Sequence, residues 1–485
     1  MTAGLPSGGV VVLGAGTSGA AATRALLTAG VAPVWVVDSR DTPALRATAD
    51  ELRAAGADVA LGVTDPAAVT GAALVVTSPG LSLAHPLLAA ALAASAPVIS
   101  EPELAWRLNA GHTRWVAITG TNGKTTTTQL AAACLNAPAI GNIGPPLCDA
   151  LAVAEPPPVA VVELSSFQLR FTDELRAAVG VLLNVAPDHL DWHPDLADYE
   201  ASKARVWAHQ VGDDAAVVYV DDPGADRVAR DHPPGARFVP VTLQEPREGG
   251  VGVAGGCLVS RLADAAGEIV AVDRLPRTHP AFVADAACAA AAALAVGSTQ
   301  SATGNAAVAP PTPGAVGARL ATVRGGPHRL EHVGDVAGVA YINDSKATNP
   351  HAAAAALATF DSVVWIAGGL DKGLDLTAVA SLLPGRVRGI VAVGQAAEQV
   401  AAVGRAAGVP VETAGTVAAA VPAAARRARP GDVVLMAPAC ASMDQFRDYA
   451  ERGEAFRGAV AQWAETAGGH RPAPAPTPSE ADDGR

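Results

Sequence analysis

Residues 115–126 read WVAITGTNGKTT, and this stretch decides the fold of the chain. Its first five residues form the apolar run of a strand buried on both faces, and the glycines that follow indicate the start of a helix. Backbone N–H groups in such a turn cradle phosphates, while Lys124 would neutralise them and Thr125 would hold Mg²⁺. The general pattern GxxxxGK[ST] has glycine where this chain has Ile118. The stretch predicts a phosphate-binding loop in a parallel α/β domain; the alternative is a glycine and threonine turn without function.

A second glycine-rich turn lies near the N-terminus. Residues 14–19 read GAGTSG between an apolar strand at 10–13 and an alanine-rich helix, and the next strand ends in Asp38. Gly14, Gly16 and Gly19 with this aspartate match the dinucleotide fingerprint, in which glycines let a diphosphate approach a helix N-terminus. The pattern fits NAD, a nucleotide-sugar diphosphate, or a plain packing turn.

Composition limits the class of protein. The net charge of −13 and the absence of a basic patch argue against a nucleic-acid partner. The five cysteines are scattered and never form a CxxC pair, which fits a reducing compartment without structural disulfides or a zinc site. Glycines interrupt the apolar stretch at residues 10–31 and no Lys or Arg precedes it, so we expect a cytoplasmic protein without membrane insertion.

Apolar strands alternate with alanine-rich helices along the 485 residues. The pattern predicts an α/β fold of three domains: a Rossmann-like domain at 1–111, a P-loop ATPase-like parallel-sheet domain at 112–323 and a second Rossmann-like domain at 324–468. The stretch from Val296 to Gly317 is rich in Pro, Gly, Ser and Thr and predicts an exposed loop. Residues 469–485 predict a disordered tail.

Lysine is scarce: Lys124, Lys203, Lys346 and Lys372 are four of only 34 basic residues. Such a chain uses arginine wherever either cation serves, which points to special roles for its lysines. Lys203 lies in a helical stretch, where a solvated side chain is the ordinary interpretation. A primary amine can, however, deprotonate and react covalently, and a guanidinium cannot.

Acidic groups follow two strands of the central domain. Glu163 ends the apolar strand at 159–162, where α/β sheets place ligand-binding groups. A buried carboxylate there needs a cation such as Mg²⁺, although a turn cap is the alternative. Residues 188–193 read DHLDWH after a strand predicted at 181–184, and fit a surface loop, a zinc site, or a site for magnesium and substrate.

Three turns of the third domain also follow strands. Residues 343–350 read NDSKATNP, residues 368–373 read GGLDKG and residues 437–446 read APACASMDQF. Each could be a plain turn, but three at one edge of a sheet predict a pocket. A helix predicted to start near Ser442 would offer its N-terminus to a carboxylate.

Together, these motifs resemble the Mur ligase family. The resemblance spans residues 10–460 and rests on the loop at 120–126, ELSSFQL at 163–169, DHLD at 188–191, PHR at 327–329, and the stretches 343–350 and 439–453. The last two resemble the members that add D-glutamate rather than those that add L-alanine, the third residue or D-Ala-D-Ala. The resemblance implies a monomeric cytoplasmic enzyme that joins UDP-N-acetylmuramoyl-L-alanine to D-glutamate in peptidoglycan precursor synthesis.

The resemblance also implies site residues, each at the position that matches a family motif. The implied ATP site consists of Gly120, Thr121, Asn122, Gly123, Lys124, Thr125, Thr126, Asp285, Arg329 and Asp344. The implied substrate site consists of Gly14, Gly16, Thr17, Asp38, Arg40, Gly80, Asn142, Ser165, Gln168, Lys346, Thr348, Lys372, Ser442 and Tyr449. The implied ligands of two Mg²⁺ ions are Thr125, Glu163, His189 and Lys203, and the implied catalytic residues are Lys124, Glu163, His189, Lys203 and Lys346.

The implied mechanism is acyl activation. The substrate carboxylate attacks the γ-phosphate of ATP, and the amine of D-glutamate then displaces phosphate from the acyl phosphate. Negative charge accumulates in both steps, which explains the lysines and Mg²⁺. Lys203 matches the family's carbamylated lysine, in which CO₂ converts a neutral amine into an extended carboxylate that positions Mg²⁺.

One region departs from the family pattern. The helix on the ATP side usually begins His-Asn-x-x-Asn, whereas residues 279–287 read HPAFVADAA, and Asp285 alone stands for the second asparagine. Three alternatives stay open at this point: a Mur ligase of different amino-acid specificity, an NAD-dependent dehydrogenase that uses the first glycine turn, and a non-catalytic protein gated by nucleotide.

Overall fold

A computed structural model describes residues 5–6, 8–109, 111–153, 155–190, 192–296, 310–323, 326–370 and 375–466. The chain forms two compact units, Met1–Arg324 and Gly325–Arg485. The first unit carries two sheets and the second carries one. This architecture confirms the predicted α/β class with three sheet domains, whereas the domain limits at 1–111, 112–323 and 324–468 stay predictions. Lys372 and the tail at 469–485 lie outside the described residues.

The first sheet is parallel throughout. Its elements are β1 (Val10–Leu13), α1 (Thr17–Thr28), β2 (Val34–Asp38), α2 (Pro43–Ala54), β3 (Asp58–Leu61), β4 (Leu74–Thr77), α3 (Pro86–Ala93), β5 (Val98–Ser100) and α4 (Glu101–Asn109). The strand order is β3-β2-β1-β4-β5. Val10 and Val12 enter one hydrophobic cluster while Val11 and Leu13 enter another, so β1 is buried on both faces. The strand order reverses at β1, which places the glycine turn where such sheets bind ligands.

The second sheet is a larger, mainly parallel sheet. Its elements are β6 (Arg114–Thr119), α5 (Lys124–Leu135), β7 (Ala139–Gly141), α6 (Leu147–Leu151), β8 (Val159–Glu163), α7 (Ser166–Arg170), β9 (Val179–Leu182), α8 (Leu196–Ala204), β10 (Ala215–Tyr219), α9 (Pro223–Asp231), β11 (Arg237–Val241), β12 (Val251–Ala254), β13 (Cys257–Ser260), β14 (Gly267–Ala271), α10 (Pro280–Ala295) and α11 (Pro313–Leu320). The strand order is β14-β13-β12-β11-β10-β9-β6-β8-β7, and β12, β13 and β14 pair antiparallel. The phosphate loop therefore leaves a strand flanked by β8 and β9.

The third sheet forms the second unit. Its elements are β15 (Glu331–Val336), β16 (Val339–Asn343), α12 (Pro350–Ala358), β17 (Val363–Gly368), α13 (Thr377–Ala380), β18 (Val387–Val393), α14 (Ala397–Ala406), β19 (Val411–Gly415), α15 (Val417–Arg427), β20 (Val433–Met436) and α16 (Tyr449–Thr466). The strand order is β15-β16-β20-β17-β18-β19, with β15 antiparallel. Because β16, β20 and β17 are parallel neighbours, their carboxyl ends bring three loops to one edge.

Two local predictions are wrong. No helix starts at Ser442: residues 442–448 form turns, in which Gln445 and Phe446 donate backbone N–H groups to the Ser442 carbonyl, and α16 begins at Tyr449.

The stretch at 296–317 is not wholly an exposed loop, because Thr312 caps α11 and Pro313 is its first residue. Gly317 is buried against β14, where a Cβ atom would lie 1.7 Å from the Ile269 carbonyl oxygen. Residues 297–309 of the stretch lie outside the described part of the chain.

The helices give no candidate for a membrane span. Within the described ranges, none is long and apolar enough to cross a bilayer.

Candidate active site

The phosphate loop is held in shape by its neighbours. Gly123 has a φ of +82° at the N-terminus of α5, and a Cβ atom there would lie 2.3 Å from Asp285 Oδ1 on α10. The Asn122 N–H donates to Asn184 Oδ1 at 2.7 Å, and Asn184 Nδ2 donates back to the Asn122 carbonyl at 3.1 Å. Asp285 therefore sits beside the loop rather than at a distance from it. Sequence reasoning assigned no role to Asn184, because it placed this residue inside a strand that in fact ends at Leu182.

Two lysines converge on one carbonyl oxygen of this loop. Lys124 Nζ donates to the carbonyls of Gly120 at 3.0 Å and Thr121 at 2.9 Å, and Lys203 Nζ donates to the same Gly120 oxygen at 2.8 Å. Lys203 is 1% exposed, so the ordinary interpretation of a helical lysine as a solvated side chain does not hold here. Burial and then the nearby Lys124 charge lower the pKa of Lys203 well below its usual value, against a smaller opposing effect of Asp188. The site thus favours a neutral amine at Lys203.

Tyr199 ties the helix that carries Lys203 to the loop. Its hydroxyl lies 2.8 Å from Thr121 Oγ1, and its ring centroid lies 4.5 Å from Lys203 Nζ. Thr121 Oγ1 also accepts the Ala186 N–H at 3.1 Å.

In the first turn of α5, Thr125 is half-buried, and the buried Thr126 hydroxyl has no hydrogen-bond partner among the described residues.

Glu163 provides a buried carboxylate at the end of β8. It is 2% exposed, and its Oε1 accepts from Asn142 Nδ2 at 2.8 Å. Gly141 allows this approach, because its φ is +105° and a Cβ atom would lie 2.6 Å from the Glu163 carbonyl oxygen. The second carboxylate oxygen, Oε2, is buried and has no hydrogen-bond partner within the described part of the chain. A buried carboxylate oxygen without a donor is unfavourable, so this atom fits a cation.

The protein offers few clustered metal ligands. Across the described ranges, no group of three His, Cys, Asp or Glu side chains is arranged to hold a metal ion. Mg²⁺ usually takes one or two protein carboxylates and completes its octahedron with water and substrate phosphates. The Glu163 carboxylate beside a phosphate loop fits that pattern, whereas a zinc site of three or four protein ligands does not.

The two histidines after β9 have different environments. His189 has a φ of +56° and a 42% exposed side chain, and its ring packs edge-on against Phe167 at 4.8 Å. His193 is buried, with Nδ1 2.7 Å from Asp198 Oδ2 and Nε2 2.9 Å from Ser166 Oγ. Burial lowers the pKa of His193, against the raising effect of Asp198. This chain of contacts links the start of α7 to α8, a connection that the sequence motif did not reveal.

Ser165 and Gln168 form a capping box at α7. The backbone N–H of Gln168 donates to Ser165 Oγ at 3.2 Å, and the side-chain oxygen Oε1 of Gln168 accepts from the backbone N–H of Ser165 at 2.9 Å. These contacts fix the turn that follows Glu163. A role of either residue in binding substrate stays a prediction.

The glycine turn of the first sheet has its carboxylate already paired. Asp38 is 3% exposed; Oδ2 accepts the Ala15 N–H and Oδ1 accepts the Arg40 N–H, each at 2.9 Å. Burial alone raises the pKa of Asp38, but the hydrogen bonds from Arg40 and Ala15 outweigh it and lower the pKa overall. Gly14 lies against the Ser78 side chain, since a Cβ atom would be 2.8 Å from Ser78 Oγ.

Around this turn, the remaining predicted residues lie near the surface. Gly16 caps α1, Thr17 is its exposed first residue, and Gly80 is exposed in the turn after β4.

In the second unit, two predicted turns pack together. The Asp344 Oδ1 atom accepts the Leu330 N–H at 3.1 Å, and the Lys346 N–H donates to the His328 carbonyl at 3.1 Å. These contacts hold Arg329 in a turn fixed to the loop after β16. Lys346 Nζ lies 5.3 Å from the Tyr449 ring centroid.

Two further residues that were predicted to bind the amino acid lie in neighbouring loops. Ser442 is buried in the loop after β20, and Thr348 is half-buried in the loop after β16. The structure therefore brings the lysine and hydroxyl groups of two loops to the same sheet edge.

Comparison with known proteins agrees with these three sheets. The Mur ligase MurD-like N-terminal domain matches residues 8–100, the Mur ligase middle domain matches 118–246 and the Mur ligase glutamate ligase domain matches 328–440. Two solved structures share the fold: a UDP-N-acetylmuramate-alanine ligase from Thermotoga maritima (TM-score 0.55, 16% identity, 95% of this chain and 100% of that chain) and a pseudomurein peptide ligase type C from Methanothermus fervidus (TM-score 0.55, 18% identity, 94% and 100%).

Relatives of higher identity cover nearly the whole sequence. A protein named UDP-N-acetylmuramoylalanine–D-glutamate ligase from Frankia casuarinae is 46% identical over 469 residues, with 94% of each chain covered. One of the same name from Thermobifida fusca is 43% identical over 470 residues, covering 92% of this chain and 97% of the relative. These matches confirm the family predicted from the motifs. The chain belongs to the Mur ligase family.

Proposed function

We propose that the chain catalyses the ATP-dependent addition of D-glutamate to UDP-N-acetylmuramoyl-L-alanine. The reaction joins a carboxylate to an amine and converts ATP to ADP and phosphate. Relatives that carry the name of this activity match the chain over nearly its full length. The observation that carries the proposal is the loop at 120–124, where two lysines share the Gly120 carbonyl oxygen and the buried Glu163 ends the strand paired with β6.

In this proposal, the loop binds the phosphates of ATP. The backbone N–H groups of the loop and the start of α5 face anionic oxygens, and Lys124 exchanges its carbonyl partners for phosphate. Thr125 and Glu163 would hold Mg²⁺, with His189 beside a second ion. Mg²⁺, when bound, would neutralise charge that develops on the transferring phosphoryl group. The other assigned ATP residues, Arg329 and Asp344 included, are part of the same proposal.

Lys203 has a separate role, which its burial supports. Its neutral amine would attack CO₂, form a C–N bond and lose a proton, which leaves a carbamate with one negative charge. That carbamate would replace the bond to the Gly120 carbonyl with ligation of a cation, and arginine could not form it. Burial lowers the pKa of this amine and so favours the neutral form, which is the reactive form for this step.

The UDP group and D-glutamate would occupy the edges of the first and third sheets, and the muramoyl part would lie at the second. The UDP group would lie at the glycine turn with Asp38 and Arg40, and the muramoyl part near Asn142. D-Glutamate has two carboxylates, which suit Lys346 together with the hydroxyls of Ser442 and Thr348. We also propose that the enzyme is a cytoplasmic monomer.

The proposal is tested by phosphate release under single omissions. Full turnover should require ATP, Mg²⁺, UDP-N-acetylmuramoyl-L-alanine and D-glutamate together, and the Lys124→Ala variant should lose it. Turnover with another amino acid but not with D-glutamate would assign a different specificity within the family. Unchanged turnover in Lys124→Ala, or reduction of a nicotinamide cofactor by a hydroxy acid, would reject the ligase proposal.

A further inference from the structure

Arg452 is a buried arginine on the first turn of α16. Arg452 is 2% exposed, and no carboxylate of the described residues forms an ion pair with its guanidinium. Burial lowers the pKa of its guanidinium to about 10, and Cys440 and Asp444 oppose this shift. The group therefore carries a positive charge at neutral pH. Buried charges are ordinarily compensated by an adjacent opposite charge, whereas the hydrogen-bond acceptors of this one among the described residues are neutral carbonyl and hydroxyl oxygens.

Its hydrogen bonds join two loops of the third sheet. Nε donates to Ser345 Oγ at 3.0 Å and Nη2 to the Ser345 carbonyl at 2.9 Å. Nη1 donates to the Cys440 carbonyl at 3.0 Å and to the Ala441 carbonyl at 3.3 Å. Ser345 directly precedes Lys346, and Ala441 directly precedes Ser442. One planar group thus fixes the backbone beside both of those residues.

A third loop packs against the same guanidinium. Gly369, which follows β17, has a φ of +146°, and a Cβ atom there would lie 3.1 Å from Arg452 Nη1 and 2.3 Å from the Ala441 carbonyl oxygen. The Leu370 N–H donates to that carbonyl at 2.9 Å. The loops after β16, β17 and β20 therefore meet at one buried cation.

We propose that Arg452 is a positioning and specificity-determining residue for an acidic amino-acid substrate at this edge. The inference rests on the proposed function and adds a residue to it. Carbonyl and hydroxyl oxygens satisfy the N–H donors of Arg452 but leave its net charge in place. In a low-dielectric setting that charge favours a second carboxylate on the amino acid over a neutral amide of the same shape.

The test compares Arg452→Gln and Arg452→Lys with a matched control, Arg447→Gln, whose parent side chain is 84% exposed. Steady-state kinetics would give KM for D-glutamate, KM for ATP and the ratio of kcat/KM for D-glutamate over D-glutamine. For Arg452→Gln we expect KM for D-glutamate to rise and the ratio to fall, each about tenfold, with KM for ATP within about twofold. Arg452→Lys should restore most of the ratio because it keeps the charge, and the control should match the parent.

A purely structural role predicts a different pattern. If both substitutions change the two KM values alike and leave the D-glutamate to D-glutamine ratio unchanged, the proposal is wrong. If Arg452→Gln does not fold, the ratio is followed in Arg452→Lys from pH 6.5 to 9. A buried ammonium loses its proton more readily than a guanidinium, so the ratio should fall with pH in this variant and stay level in the parent. A level ratio in the variant would overturn the proposal, whereas a parent without D-glutamate-dependent phosphate release would overturn the proposed function instead.

Discussion

The glycine turn at 14–19 and the phosphate loop at 120–124 begin alike and differ in their charged groups. Each follows a buried parallel strand and opens a helix. In the first turn, the single carboxylate, Asp38, is fully engaged by Ala15 and Arg40. In the second, two lysines share the Gly120 carbonyl oxygen, and a buried oxygen of Glu163 has no partner among the described residues.

We expect this difference to separate a binding site from a catalytic site. Satisfied groups such as those around Asp38 are suited to holding a ligand without reacting with it. Crowded amines and an unpaired carboxylate oxygen are unfavourable in the empty protein and become favourable when anions and a cation arrive.

The largest effect is expected at Lys203. Lys203→Arg introduces a guanidinium, which cannot form a carbamate, so kcat should fall at least about a thousandfold. Lys203→Ala should be equally inactive but recover part of its activity when a short carboxylic acid is added. Arg230→Lys on the exposed face of α9 serves as the control and should behave as the parent does. An active Lys203→Arg enzyme would show that the amine chemistry is not required.

Glu163→Gln should have the next largest effect. The amide keeps the size and the contact with Asn142 but removes the charge that faces a cation, so kcat should fall about a hundredfold and the Mg²⁺ concentration for half-maximal rate should rise. Glu155→Gln, at an exposed position, is the control. An unchanged Mg²⁺ requirement would place the metal elsewhere.

Glu101 offers a contrast between buried carboxylates. Its Oε1 accepts the Cys148 N–H at 2.6 Å, and burial raises its pKa from 4.5 to about 7, opposite to the shift of Asp38. Between pH 4.5 and 7 the folded state therefore holds a proton on Glu101 that the unfolded state has lost. The contribution of this proton to the free energy of unfolding is lost as the pH rises through 7. Glu101→Gln should be more stable than the parent by about 1–3 kcal/mol at pH 8 and equal to it near pH 4.5. Urea unfolding at both pH values tests this, and an equal difference at both would contradict it.

The smallest effect is expected at Asp38, beside the glycine turn at 14–19. Asp38→Asn weakens the contacts with Arg40, so KM for the UDP-sugar substrate should rise about threefold while kcat stays the same. Matched kinetics with ATP as the varied substrate should show no change. A hundredfold loss of kcat in this variant would mean that the two turns do not differ as described.

Much of the fold could be predicted from the sequence because parallel strands buried on both faces form continuous apolar runs. The strand at 115–119 and the loop after it, as well as Glu163 at a strand end, follow from this pattern alone. The helix near Ser442 was predicted from local residues, but the chain there is held in turns. Helix starts depend on such tertiary contacts as much as on capping residues.

The rest depends on pairs distant in sequence. The burial of Lys203 requires α8 to pack on a loop 83 residues away, and the role of Asn184 depends on where β9 ends. Arg452 reaches Ser345 across 107 residues, and no local motif marks it. The scarcity of lysine and the match to the family's carbamylated lysine were the two signals that pointed to Lys203 beforehand.

We propose that ATP bound at the loop 120–124 phosphorylates a substrate carboxylate. This step is tested most directly with UDP-N-acetylmuramoyl-L-alanine that carries ¹⁸O in both carboxylate oxygens. If an acyl phosphate forms, the bridging oxygen leaves with phosphorus, so each phosphate released should contain one ¹⁸O atom and the new amide should keep the other. Phosphate without ¹⁸O, accompanied by full D-glutamate-dependent turnover, would contradict the account.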